Sequence, residues 1–224
     1  MTRGNYKEHW NALSSNIQDA RINIIGRADN EYWDATAIQD YEVLDKLLGI
    51  GAGDHFLEIG CGVGRLGARV AENCEHWTGV DVSIEMIKHA AVTLFDYPNV
   101  SLKEIDGYDL HELPDNSFTK VYCVIVFCHL DEWDRYSYVL EAHRVLKPGG
   151  QLLVNNINLC SKVGWAIFEN LRALPPAGRD PWISKVSTPQ ELQEYMKHAG
   201  FQDIRVSEAE PWRSRAMVTV IGRK

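Results

Sequence analysis

The chain has 224 residues, 45% of them hydrophobic and 24% charged, which is enough for one well-buried domain and gives no sign of disorder. Its 23 basic and 31 acidic residues leave a formal charge of -8 with no lysine or arginine stripe, which argues against nucleic acid as a partner. No apolar run approaches the ~20 residues of a bilayer span, and the cysteines at 61, 74, 123, 128 and 160 have neither zinc-site nor disulfide spacing, so a cytoplasmic protein without a membrane partner is expected.

Residues 1–50 are aromatic for their length, with Tyr6, Trp10, Tyr32, Trp33 and Tyr41. Ile38, Tyr41, Val43, Leu44, Leu47 and Leu48 recur at helical spacing, and Gly49-Ile50-Gly51 supplies the stop. This part reads as an N-terminal helical cap or lid over a core of residues 51–224. Tyr32 and Trp33 either face a ligand from that cap or anchor it to the core.

His55-Phe56-Leu57-Glu58-Ile59 is a short apolar run that enters the glycine-dense turn Gly60-Cys61-Gly62-Val63-Gly64 and then a helix starting at Arg65. The glycines permit positive φ and close approach to the main chain, and the exposed amides, with the start of the helix, predict a polar cradle for a nucleotide-like ligand. Counted from Gly60, the sixth position is Arg65 where a dinucleotide fingerprint needs glycine, and no Lys-Ser or Lys-Thr pair marks a P-loop. Glu58, just before the turn, would repel a pyrophosphate but suits a cation bearing an ammonium and a sulfonium.

Beyond the turn, strands are predicted near 55–59, 77–81, 100–105, 121–127 and 151–157, with helices near 65–73, 84–95 and 135–146. Such alternation implies an α/β fold with a parallel sheet. Ser83 reads as a helix cap. Val121 to Phe127 is apolar throughout, as a strand buried on both faces should be.

Cys128-His129-Leu130-Asp131-Glu132-Trp133 follows, and His129 is the one residue there that titrates near neutrality; it is either a general base or a structural histidine. Residues 158–186 exceed an ordinary connection and predict a lid insertion with a helix from Gly164 to Ala173, carrying Trp165. Arg172, Arg179 and Lys185 could hold an anionic acceptor, with solvated surface charge as the default. Thr188-Pro189 opens another helix. Arg213 lies between the segments 204–207 and 216–222 near the end of the chain.

Four segments, in order, carry a family resemblance: Glu58-Ile59-Gly60-Cys61-Gly62-Val63-Gly64, Thr78-Gly79-Val80-Asp81-Val82-Ser83, Ser101-Leu102-Lys103-Glu104-Ile105-Asp106-Gly107, and the stretch from Arg144 to Val154. Together they resemble the class I S-adenosylmethionine-dependent methyltransferases. That resemblance implies a single Rossmann-like, doubly wound sheet of seven strands with the last antiparallel. It implies Glu58, Gly60, Cys61, Gly62 and Gly64 around the methionyl end, Asp81, Val82 and Met86 at the ribose, Asp106 and Gly107 at the adenine, and Phe127 beside them.

By the same resemblance, Tyr32, Trp33, His129, Trp133, Trp165 and Arg213 lie where the acceptor would sit, and S-adenosylhomocysteine is the product. The Asn-Pro-Pro-Tyr-like sequence of enzymes that methylate base or amide nitrogens is missing after Phe127. Where metal-dependent members have Asp-Asn after the fifth strand, this chain has Asn155-Asn156, so no metal is expected. The expected activity is methyl transfer to oxygen or nitrogen of a small-molecule or sugar-like acceptor. The alternatives are a non-catalytic cofactor-binding partner subunit and a nicotinamide-dependent oxidoreductase, the latter disfavoured by Arg65 and Glu58. Monomer and homodimer both stay open.

Overall fold

Strand β1 (His55–Ile59) sends Leu57 and Ile59 into one apolar core and Phe56 into another, as a period of two requires of a strand covered on both faces. The computed structural model describes residues 5–175, 184–208, 212 and 216–224. Parallel to β1 on one side lie β2 (His76–Asp81) and then β3 (Val100–Glu104); on the other lie β4 (Phe118–Cys123) and β5 (Leu146–Ile157). The chain ends with β6 (Gln202–Ser207) and β7 (Met217–Arg223), and β7 runs antiparallel between β5 and β6. The seven strands are ordered β3-β2-β1-β4-β5-β7-β6.

The helices are α1 (Tyr6–Leu13), α2 (Ile17–Ile25), α3 (Asn30–Leu48), α4 (Arg65–Ala71), α5 (Ile84–Thr93), α6 (Glu132–Val145), α7 (Lys162–Arg172) and α8 (Pro189–His198). Leu44 of α3, Val70 of α4 and Ala90 of α5 pack with Phe56, Trp77 and Tyr122 on one face of the sheet. Val139 of α6 and Leu192 and Met196 of α8 pack with Leu57, Val121 and Leu152 on the other. The sheet is therefore doubly wound. Helix starts follow local chemistry: Asp29 accepts from Tyr32 N, Ser83 from Met86 N, and Thr188 from Glu191 N with Pro189 as the first helical residue.

Trp77 shows how tightly the first face is packed. Its ring is fully buried, and a Cβ added at Gly67 or at Gly79 would lie 2.2 Å from it, so either position accepts only glycine without displacing the indole.

Several elements differ from the sequence expectation. β4 ends at Cys123 rather than at Phe127, because Ile125 takes φ 59° and its N–H is held by Asn155 Oδ1 at 2.7 Å, which lifts the chain out of the sheet into a 3₁₀ turn at Phe127–His129. β5 starts at Leu146, before the expected 151, with Gly149 at φ 81° and a register shift against β4 between Phe118 and Lys120. Residues 1–50 hold three helices where the spacing showed one, and the Tyr32–Thr36 segment belongs to α3 itself. Among the described residues, no helix is long and apolar enough to cross a membrane, and the cysteines are free.

Candidate active site

The bend after β1 is built by hydrogen bonds that the sequence did not reveal. Gly60 N and Cys61 N both donate to Val80 O, Gly62 N donates to Asp81 Oδ2 at 2.9 Å, and Gly64 N donates to Cys61 O. The amides expected to face a ligand are thus satisfied within the protein. Gly60 and Gly62 have φ of 75° and 53°, and a Cβ would come within 2.3 Å of Val126 and 2.9 Å of Ile24, respectively. The turn needs glycine because the post-β4 loop and α2 close on it, not only because a ligand does.

Two carboxylates stand beside this bend. Glu58 is 6% exposed and accepts a hydrogen bond from Tyr122 Oη at 2.7 Å; Tyr122 in turn accepts from Trp77 Nε1 at 2.9 Å. Burial pushes the Glu58 carboxyl up to about 8, against the pull of the Tyr122 hydrogen bond and the Arg65 charge. Asp81 is raised to about 6 by burial, offset by backbone donors that include Ser83 N and Gly62 N. Both acids therefore favour a bound cation, which would recover the energy lost to desolvation.

Glu58, Cys61, Gly62 and Asp81 line a single cavity, and Val82, Met86, Ile105 and Gly107 continue its wall. Tyr6 and Trp10 of α1, Ile24 of α2, Val124–Val126, His129 and Leu130 complete the lining, with Val126 and Ile24 packed against the bend at Gly60 and Gly62. Trp10 meets the His129 ring edge-on, with centroids 4.9 Å apart. α1 is held there by polar contacts: Tyr6 Oη donates to Asp134 Oδ2 at 2.8 Å, Ser14 Oγ lies 3.0 Å from Ser83 Oγ, and Ser83 Oγ donates to Asn11 Oδ1. The 3₁₀ turn that carries His129 is fixed by the buried Arg135, whose Nε donates to Phe127 O and whose Nη1 donates to Ser187 Oγ and Glu191 Oε1.

Of the residues expected at the site, Glu58, Gly60, Cys61, Gly62, Asp81, Val82, Met86, Gly107 and His129 converge on this cavity. Gly64 caps α4 just behind it. Others lie elsewhere. Phe127 is fully buried in the apolar core under β4. Asp106 is exposed and accepts from Tyr108 N and Asp109 N in its own turn.

Trp33 is buried with Ala20, Val63 and Met86, under the guanidinium of Arg21, and Tyr32 lies under that of Arg27, so both anchor the N-terminal helices. Trp133 and Trp165 are 69% and 52% exposed, outside the cavity wall. Arg213 and Arg179 lie outside the described residues. Arg172 pairs with Glu169 and Lys185 with Asp131; no described residue of the 158–186 insertion lines the cavity. The one group of side chains among the described residues with spacing suited to a metal, Asp106, Asp109 and His111, does not line the cavity, although Gly107 beside Asp106 does.

Reading the sequence missed Tyr6, Trp10, Ile24 and Arg65. Tyr6 and Trp10 did carry a signal, an aromatic pair four apart on one helical face. Arg65 was noticed only as a missing glycine.

A family profile described as a methyltransferase domain matches residues 57–154. The ubiquinone biosynthesis O-methyltransferase of Xylella fastidiosa (strain 9a5c) is 30% identical over 182 residues, covering 75% of this chain and 70% of that protein. The protein of the same name from Xanthomonas euvesicatoria is 27% identical over 224 residues, 93% of this chain and 92% of that one. Among solved structures, phosphoethanolamine N-methyltransferase 1 of Haemonchus contortus, in complex with S-adenosylhomocysteine, superposes with a TM-score of 0.72 at 14% identity over 97% of this chain and 48% of that one, a likeness of fold. Glu58 and Asp81, near the ends of neighbouring strands, both line that one cavity. On this similarity in sequence, carried on a sheet of the same order, the chain belongs to the S-adenosylmethionine-dependent methyltransferases.

Proposed function

We propose that this enzyme transfers a methyl group to an oxygen of a small, partly apolar acceptor, with nitrogen as the second choice. The observation that carries this is the mixed lining of one cavity, in which the acids Glu58 and Asp81 are joined by the aromatic and aliphatic groups of Trp10 and Val124–Val126 and by the imidazole of His129. The O-methyltransferase names of the Xylella and Xanthomonas relatives support oxygen.

S-adenosylmethionine, when bound, supplies a methyl group on a positively charged sulfur, so no acid is needed to expel the leaving group. In this reading Glu58 receives the ammonium and Asp81 the ribose hydroxyls, while Val82, Met86, Ile105 and Gly107 cover the base and Asp106 keeps its exposed polar edge. Tyr6, Trp10 and Val124–Val126 exclude water and hold the acceptor in line. Such alignment can supply ~7–11 kcal/mol of the barrier. His129 takes the proton from the acceptor hydroxyl on an imidazole nitrogen as the new bond forms.

The second reading, a non-catalytic subunit, needs a plugged rim past Phe127, whereas the cavity extends to His129 and Leu130. Incubation of the protein with methyl-labelled cofactor and a panel of phenols, sugars and amines, with and without chelator, tests the proposal. We expect label on a hydroxyl, undiminished by chelator. Cofactor binding without transfer to any acceptor class would contradict it.

A further inference from the structure

Asn155 and Asn156 stand near the carboxyl end of β5, and both are fully buried. Successive strand residues point to opposite faces, so the two side chains serve different partners. Asn155 Oδ1 accepts from Ile125 N at 2.7 Å, and Asn156 Nδ2 donates to Ser187 Oγ at 2.7 Å. Ser187 Oγ also accepts from Arg135 Nη1, and Arg135 Nε donates to Phe127 O. The segment after β4 is thus hung from one strand end, directly at Ile125 and through Ser187 and Arg135 at Phe127.

The contact at Ile125 is the unusual one. Ile125 holds φ 59°, a region that β-branched residues avoid, so this conformation persists only because its surroundings enforce it. Asn155 carries a cost of its own: its Nδ2 is buried without a hydrogen-bond partner among the described residues, where an apolar side chain of the same size would strand no donor. A strained backbone and an orphaned donor both oppose folding, and the hydrogen bond between these two residues accounts for keeping them. What that bond sets is the cavity wall. Val124, Ile125 and Val126 line the cavity, and Val126 O accepts from His129 N at 2.9 Å, so the backbone turn at Ile125 carries through to the imidazole.

We propose that Asn155 is a positioning residue for methyl transfer, which fixes the Val124–Val126 wall and the place of His129 through the backbone of Ile125 and lines no part of the cavity itself. The assignment rests on the reading of His129 given above and adds the residue that places it.

Three substitutions and the wild-type protein test this. N155L keeps the volume and removes the acceptor, N155A removes it without overpacking, and N155D keeps an oxygen for Ile125 N while deleting the orphaned donor; thermal melting shows which of them fold. With the panel acceptor that the wild type methylates fastest, kcat is expected to fall by about tenfold or more in N155L and N155A and to stay within about threefold in N155D, while S-adenosylhomocysteine affinity by calorimetry stays within about threefold throughout. Unchanged kcat in a folded N155L or N155A, equal losses in all three, or cofactor affinity falling as far as kcat would overturn the assignment and leave the reading of His129 standing. In the wild type, amide exchange followed by nuclear magnetic resonance should show Ile125 N–H protected although it lies outside the sheet; free exchange there would overturn the assignment whether or not a variant folds. A wild type that methylates no member of the panel would overturn the reading of His129 and the role of Asn155 with it.

Discussion

Two parts of the cavity wall are made in different ways. Glu58 and Asp81 stand at the carboxyl ends of two adjacent parallel strands, where β1 pairs with β2 from His55↔His76 to Ile59↔Val80. The part at Trp10 and His129 is assembled from α1, a loop after β4 and a 3₁₀ turn, joined by side-chain contacts between residues more than a hundred positions apart, such as Tyr6 to Asp134. A site built on strand ends is set by local sequence; a wall built from packed helices can change without disturbing the sheet. The first suits a ligand common to a family, and the second suits an acceptor that differs from member to member.

If that division is right, changes in the two parts should separate. The largest effect is expected in the acceptor part: His129→Gln should lower kcat by about a hundredfold or more while the affinity for S-adenosylhomocysteine stays unchanged, as read by steady-state kinetics and calorimetry. A parallel loss of cofactor affinity would mean that the two parts are one unit. In the other part, Asp81→Ala should weaken cofactor binding by more than about tenfold with the sheet intact by circular dichroism, since it removes charged acceptors and the anchor of Gly62 N. Unaltered affinity would remove Asp81 from the site.

A smaller change tests how the cofactor part is tuned. Tyr122→Phe deletes the hydrogen bond that holds the Glu58 carboxylate down, so the Glu58 titration should move upward and affinity at neutral pH should fall by only severalfold. Because Tyr122 is fully buried, a merely structural role would lower melting temperature without moving the pH profile.

The same division explains what the chain disclosed before its structure was known. Glu58 and the glycines were legible because a strand, its bend and the next helix are contiguous and each residue type has a local reason, whereas Asp81, on the next strand, came from the family resemblance. The end of β4 was not legible. Val124 to Phe127 reads as more strand, and only Asn155, thirty positions away, reveals that Ile125 leaves the sheet at positive φ.

Tyr32 and Trp33 were credible ligand contacts by composition, but the guanidinium groups of Arg27 and Arg21 cover their rings and make them anchors. Arg65 was visible as an exception to a glycine pattern, while its pairing with Asp40 depends on how α3 docks against α4. Helix caps, by contrast, were readable at Ser83 and Thr188 because they act over three residues.

If the buried acids beside the bend receive a cation, proton linkage should report it. Glu58 is raised from its ordinary 4.5 to about 8, so the ligand-free fold favours the protonated carboxyl; this contribution to stability is complete below pH 4.5 and is lost as pH rises through about 8. Asp81 adds the same sign between its ordinary 3.8 and about 6. A bound ammonium reverses the preference and expels the proton. Calorimetry of S-adenosylmethionine binding at pH 7, in buffers of different ionisation enthalpy, should show net proton release and an affinity that climbs from pH 6 to 8, whereas proton uptake or a flat profile would contradict the claim.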